Sequence, residues 1–433
     1  VSNAVTKLTV AGDQNLTLTA AESMATIDAS ALTGNLTMSV SAATQTITGG
    51  AGDDSIDMAG TLTKADTLDG GAGTDTVKLD VGNETYDATG ALINVSNVEV
   101  LDIDATHDSA ALDLDGVTGV TNLKAAASNK LTITGTFTTT GDDITYTLNG
   151  TTTAVANGAG INTAAEIAGN MVTSIDGLAG FSASLTGAEI TVTADTGEYV
   201  DFTAITNTTQ ATDTVGFTTT PYDVTFSNMA GTEAVDVYSA GTITTALKDA
   251  SGTADALTFN LATTTTDKGI SKTVDDIVVA NIESVTLDST GSTAGKTNTL
   301  TTLTADADLT SLTVTGDSNL TITNTVAGGT KLATINAAAL TGDFGITSGV
   351  ILAQTITTGS GNDTIVMGTV LSNTDVIDAG ANTALTDGTA GEDTLTATVT
   401  SLTATTGALQ LANVERVNLT NGGTAVIDAT AIT

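Results

Sequence analysis

The chain has 433 residues, of which 49 are acidic and 11 basic, giving a formal net charge of −38 at pH 7. Phosphate recognition needs basic surface, so nucleic acid is excluded as a natural partner. Cysteine is absent, proline occurs once and aromatic residues make up 3%, which excludes a disulfide scaffold and leaves thin cores of Val, Ile, Leu and Ala. No run of eighteen apolar residues occurs, so no membrane span is expected.

The N-terminal stretch consists of short alternating runs, beginning with Leu8-Thr-Val-Ala-Gly-Asp-Gln-Asn-Leu-Thr-Leu-Thr19 and Ile27-Asp-Ala-Ser-Ala-Leu-Thr-Gly34. Period-two alternation of β-branched residues between Gly, Asn and Asp predicts strands. Residues 49–57 then read Gly-Gly-Ala-Gly-Asp-Asp-Ser-Ile-Asp, and 70–78 read Gly-Gly-Ala-Gly-Thr-Asp-Thr-Val-Lys. Both match the nonapeptide Gly-Gly-x-Gly-x-Asp-x-U-x, with U aliphatic, which builds a calcium-binding parallel β-roll. Between them, after the insert Met58–Gly60, residues 61–69 keep Asp66 at position six and Leu68 at position eight without the glycines. Asn97-Val-Glu-Val-Leu-Asp-Ile103 closes this first unit.

The next stretch differs in kind. Ala165, Ile167, Ala168, Met171, Val172 and Ile175 are close to helical spacing, with Asn162 or Thr163 as the cap and Glu166 in the first turns. Strands flank this helix at Ile144–Leu148, Phe181–Leu185 and Ile190–Thr193, which predicts a small α+β domain looped out of the repeats. Its aromatics (Phe137, Tyr146, Phe181, Tyr199, Phe202, Phe217) form either a contact surface or, as favoured here, the core of that domain.

A third copy of the closing strand, Asn281-Ile-Glu-Ser-Val-Thr-Leu287, ends a middle unit without clear glycine turns. The opening pattern then returns as Leu312-Thr-Val-Thr-Gly-Asp-Ser-Asn-Leu-Thr-Ile-Thr323 and Ile335-Asn-Ala-Ala-Ala-Leu-Thr-Gly342. Residues 358–366 read Thr-Gly-Ser-Gly-Asn-Asp-Thr-Ile-Val, residues 370–378 keep Asp375 and Ile377, and 388–396 read Gly-Thr-Ala-Gly-Glu-Asp-Thr-Leu-Thr. Asn413-Val-Glu-Arg-Val-Asn-Leu419 closes the unit. Self-similarity of this kind predicts an array of stacked turns. The expected fold is all-β, a parallel β-roll or β-helix solenoid with a small α+β insert. Its divisions are repeat one at 1–125, the insert at 126–220, a degenerate middle unit at 221–310 and repeat two at 311–433. The sequence begins at Val1 without a signal-peptide pattern. It stops where repeat one runs on through Thr118–Lys124, so a longer protein is expected.

The nonapeptide has a direct physical reading. Glycines bend the backbone tightly and turn carbonyl oxygens inward, and the Asp at position six adds a carboxylate. Calcium is a hard cation that takes six to eight oxygens, completed by stacked turns. The candidate ligands are Gly50, Gly52, Asp54, Asp57, Asp66, Asp69, Gly71, Gly73 and Asp75 in the first roll. In the second they are Gly359, Gly361, Asp363, Asp375, Asp378 and Asp393.

Catalytic patterns are poorly represented. The single histidine, His107, lies in a polar run, and neither a His-Glu-x-x-His nor a Gly-x-Ser-x-Gly motif is present. The chain is not expected to be an enzyme.

The two exact nonapeptides and their weaker partners resemble the repeats-in-toxin (RTX) class of type I secreted proteins. The Thr-, Ala- and Gly-rich repeats, the acidity and the lack of cysteine are similar to the surface-layer proteins within that class. The resemblance implies export through a type I channel and folding on meeting Ca2+ outside the bacterial cell. It further implies assembly with copies of itself into a lattice or filament on the cell surface, with cell-surface polysaccharide as a further partner. The alternative it implies is an RTX adhesin for attachment or biofilm formation, whose insert binds a ligand. An RTX enzyme whose catalytic domain lies elsewhere is a third.

Overall fold

The computed structural model describes residues 5–18, 24–40, 44–58, 60–81, 94–105, 110–136, 143–149, 151–156, 163–194, 200, 202–207, 214–238, 241–261, 272–291, 297–324, 331–382, 391–402 and 409–427. His107, Phe137, Asn162 and Tyr199, and residues 388–390 of the last glycine unit, lie outside them. The chain divides into two compact units, one of residues 1–233 with 238–243, the other of 234–237 with 244–433.

In the first unit, successive strands alternate between two parallel sheets. One is ordered Lys7–Gly12, Thr26–Leu32, Thr46–Thr48, Thr67–Asp69 and Asn94–Ser96. The other stacks Leu16–Leu18, Leu36–Ser39, Ser55–Asp57, Thr76–Val81, Val100–Ala105 and Asn122–Ala127. Each turn of the chain thus adds one strand to each sheet, which is the expected solenoid. Aliphatic residues stack in register along the inside. Ile27 pairs with Ile47, Ile47 with Leu68 and Leu68 with Val95. Opposite them run Met38, Ile56, Val77, Leu101 and Leu123. All of these side chains are buried. A core one side chain deep on each sheet needs no wide aromatic filling, which accounts for the composition.

The second unit repeats the arrangement. Ala256–Asn260, Ser284–Ser289, Ser311–Gly316, Thr334–Leu340, Thr355–Thr357, Val376–Asp378 and Gln410–Ala412 form one parallel run. Thr273–Ala280, Thr297–Ala305, Asn319–Ile322, Phe344–Thr347, Thr364–Gly368, Thr394–Leu402 and Arg416–Ile427 form the other. Even irregularities are copied. The pairing of Lys7–Gly12 with Thr26–Leu32 slips between Thr9 and Ala11, and that of Ser311–Gly316 with Thr334–Leu340 slips between Thr313 and Thr315.

The predicted helix runs over Ala164–Asp176. Thr163 is its cap: its hydroxyl oxygen accepts from the Glu166 amide at 3.2 Å while the hydroxyl donates to Glu166 Oε2 at 2.8 Å. The helix buries Ile167, Ala168, Met171 and Ile175. Around it the strands are antiparallel: Phe181–Thr186, Glu189–Ala194, Asn129–Thr136 and Thr214–Pro221 in one sheet, and Thr151–Val155, Ile144–Leu148 and Phe202–Asn207 in another. Tyr146, Phe181 and Phe202 belong to the shared core, with Phe217 packed against it. Three of the six aromatics are therefore core residues, and the Tyr146 hydroxyl meets Ser174 Oγ at 3.0 Å.

Candidate metal centre

The two exact nonapeptides stack directly on one another. Their strands, Ser55–Asp57 and Thr76–Val81, are neighbours in one sheet, whereas Thr67–Asp69 lies in the other. Asp54 and Asp75 therefore share one corner of the roll, 21 residues apart along the chain, and Asp66 sits at the opposite corner. The glycine-rich units come one per full turn, and the corner between them lacks the Gly-Gly-x-Gly pattern. The second roll does the same, with Asp363 and Asp393 at one corner and Asp375 at the other.

Turn-on-turn stacking explains the glycines. Gly73 has φ +135°, and a Cβ there would lie 2.5 Å from the Gly52 carbonyl oxygen. Gly71, at φ +104°, faces the Gly50 carbonyl in the same way. Only glycine combines that backbone with that approach. Gly50 and Gly359 rest on the carbonyls of Leu32 and Leu340, and Gly52 and Gly361 rest on the Gly34-Asn35 and Gly342-Asp343 backbone beneath them.

At the glycine corner, carboxylates and amides form a ladder. The Leu36 amide donates to Asp54 Oδ1 at 2.7 Å, the Asp54 amide to Asp75 Oδ1 at 2.8 Å, and the Asp75 amide to Glu99 Oε2 at 2.8 Å. In the second roll the Phe344 amide donates to Asp363 Oδ1 at 2.7 Å, the Asp363 amide to Asp393 Oδ1 at 2.7 Å, and the Asp393 amide to Glu415 Oε2 at 2.9 Å. Each position-six aspartate thus ties its turn to the one below through one oxygen.

The second oxygens differ. Asp54 Oδ2 accepts from the Gly50 amide at 2.7 Å. Asp363 Oδ2 is buried with no hydrogen-bond partner, although the nearby Thr358 hydroxyl and Gly359 amide favour the ionised form of this carboxyl. Asp75 Oδ2 and Asp393 Oδ2 are buried with no hydrogen-bond partner. Burial, together with the charges of Asp54, Glu99 and Asp53, pushes the Asp75 carboxyl up to about 6 although the Asp54 amide favours its ionised form. Burial likewise pushes Asp393 up to about 6, against the Asp363 amide and helped by the charges of Asp363, Glu415 and Asp343. Asp363 is raised too, chiefly by burial.

At the opposite corner both carboxylate oxygens are engaged. Asp66 accepts from the Gln45 amide at 2.6 Å through Oδ1 and from the Thr63 amide at 2.7 Å through Oδ2. Asp375 accepts from the Gln354 amide at 2.8 Å and the Ser372 amide at 2.7 Å. Among the position-nine candidates, Asp69 Oδ1 accepts from Asn97 Nδ2 at 2.8 Å and Asp378 Oδ1 from Asn413 Nδ2 at 2.7 Å. Asp57 pairs in register with Lys78, on the sheet face opposite the core residue Ile56.

The Asn-x-Glu motif carries a role that the sequence reading left as mere strand. Asn97, Asn281 and Asn413 have φ of 51°, 57° and 56°, a left-handed turn that asparagine tolerates. The glutamate two residues later caps the aspartate amide of the preceding turn. Its threefold recurrence is the signal that marks it.

The donor set fits a hard cation. Orphaned carboxylate oxygens stand beside glycine turns rich in backbone carbonyls, the oxygen types that calcium takes. Among the described residues no three or more His, Cys, Asp or Glu side chains converge to hold a metal, so an ion here depends on those carbonyls for most of its shell. Neither family models nor curated proteins match the sequence.

Proposed function

We propose that the chain is an extracellular structural protein that folds with Ca2+ and assembles with copies of itself into a surface layer, a lattice or filament, on a bacterial cell. The observation that carries the reading is the pair of stacked glycine corners, each holding a buried carboxylate oxygen with no protein partner. A buried anion without a partner is costly. A calcium ion ligated there by Asp75 or Asp393, with the glycine turns, removes that cost. What calcium supplies is charge neutralisation and an oxygen-coordinated crosslink between successive turns. The chain's own residues hold the turns in register, exclude water and orient the carboxylates. The aromatics of the inserted region that lie in its core support the structural reading over the adhesin, which needs them on a contact surface.

Calcium binding only to the folded state stabilises it by about 2.7 kcal/mol at a hundredfold excess over the dissociation constant. Circular dichroism and thermal melts with chelator and then with excess Ca2+ test folding: loss of β-structure or a fall in the midpoint on chelation is expected, and no change overturns the calcium reading. Light scattering tests assembly. Growth of large particles is expected in Ca2+ and not in equal Mg2+, which gives up water reluctantly and demands octahedral geometry. A strict monomer at millimolar Ca2+ favours the adhesin.

A further inference from the structure

The middle of the chain, which has no nonapeptide, contains a turn built like the two at Asp75 and Asp393. The Asp255 amide donates to Glu283 Oε2 at 2.8 Å, as Asp75 does to Glu99 at 2.8 Å and Asp393 to Glu415 at 2.9 Å. The Asp255 carbonyl accepts from the amides of Glu283 at 3.1 Å and Ser284 at 3.0 Å, and the Asp75 carbonyl from those of Glu99 at 3.2 Å and Val100 at 3.0 Å.

The register agrees as well. Asp255 immediately precedes Ala256, which pairs with Ser284. Asp75 precedes Thr76, paired with Val100, and Asp393 precedes Thr394, paired with Arg416. Leu257 follows at the position of Val77 and Leu395, and all three are core residues. In each case the capping glutamate follows a left-handed asparagine by two positions.

The decisive likeness is in the carboxylate. Asp255 Oδ2 is shielded from solvent and has no hydrogen-bond partner, as is true of Asp75 Oδ2 and Asp393 Oδ2. A glycine again stands against it: a Cβ on Gly252 would lie 2.6 Å from Asp255 Oδ1 and 2.7 Å from Oδ2. Near Asp75 the glycine in contact is at a different place in the loop, where a Cβ on Gly70 would lie 2.6 Å from Asp75 Oδ2. The loop differs in having one glycine, within Asp249-Ala-Ser-Gly-Thr-Ala-Asp255, instead of the three before Asp75 and the two before Asp393.

We propose that Asp255, with Glu283 beside it, forms a third divalent-cation site, for which Ca2+ is the fitting ion, hidden from motif reading because its loop lacks the Gly-Gly-x-Gly spacing. This inference rests on the calcium reading of the two glycine corners. One glycine lets fewer carbonyls turn inward, so this site binds more weakly than those at Asp75 and Asp393.

The test is Ca2+ titration of the whole chain by calorimetry, comparing wild type with Asp255→Asn, Glu283→Gln and Asp75→Asn. Asp75→Asn and Glu283→Gln keep an oxygen that accepts the Asp54 and Asp255 amides, and all three changes remove a charge at near-constant size. Asp255→Asn is expected to weaken one low-affinity site at least tenfold and to leave the tighter sites unchanged. Glu283→Gln should weaken the same site, and it carries the test if circular dichroism shows that Asp255→Asn does not fold. If Asp75→Asn loses a site while both middle variants bind as wild type does, the third site is overturned and the calcium reading stands. If wild type binds no Ca2+, or Asp75→Asn changes nothing, the calcium reading falls and the third site with it.

Discussion

The position-six aspartates do two jobs with two oxygens. One accepts a backbone amide from the turn below, which fixes register whether or not a metal is present. The other, at Asp75 and Asp393, has no partner, and burial makes its charge expensive. The pH dependence follows from the sign of that shift. A carboxyl raised to about 6 in the folded chain and ordinary when unfolded holds more protons in the folded state between about pH 4 and 6. Stability from these groups is therefore full below that window and lost as pH rises through it. In chelator the thermal midpoint should be higher at pH 5 than at pH 7.5, and Ca2+ at pH 7.5 should narrow the gap. Asp75→Asn should shrink the difference; a gap of the same size in that variant would assign it to the acidic surface at large. Glu99→Ala leaves the Asp75 amide without an acceptor, and an orphaned buried donor costs about 1–3 kcal/mol. Urea unfolding should show a loss in that range.

Core columns and outward rows make unequal contributions at the level of the strand. Ile356 stacks between Ile335 and Ile377 and is fully buried, while its neighbour Thr355 is exposed. Ile356→Ala should cost about 2–5 kcal/mol, because the parallel ladder holds the neighbouring strands apart and the cavity cannot collapse. Thr355→Ala should stay within about 0.5 kcal/mol, the usual range for surface changes. Denaturant melts of the two variants give the comparison directly. The helix Ala164–Asp176 offers a third case. Thr163→Ala removes the acceptor for the Glu166 amide, and loss of such a cap costs about 1 kcal/mol.

Over the whole chain, the charge of −38 opposes compaction through self-repulsion. Screening and specific binding are separable by experiment. Sodium chloride matched in ionic strength should recover only part of the stability expected from Ca2+ on the proposed reading, because screening acts on exposed charges and weakly on buried ones. Equal recovery would mean that calcium acts here as bulk salt.

The alternation of Thr and Val with small residues, the repeat and the nonapeptides were sufficient by themselves for the parallel solenoid and its helix-bearing insert. These features are local: a strand period, a glycine turn and a helix cap are each written within a dozen residues. Position eight of the nonapeptide, at Ile56, Val77, Ile365 and Leu395, was legible as core for the same reason. The pairing of turns was not local. Whether Asp66 stacks on Asp54 or faces away from it depends on how many residues complete a circuit, and only the closed backbone decides that. Glu99, Glu283 and Glu415 read as ordinary strand residues until the amide of the preceding turn, 22 to 28 residues earlier, arrives opposite them. Asp255 carries no motif, and its orphaned oxygen exists only because the fold buries it. Burial and the meeting of distant turns are properties of the tertiary structure, and the character of every candidate metal centre here rests on them.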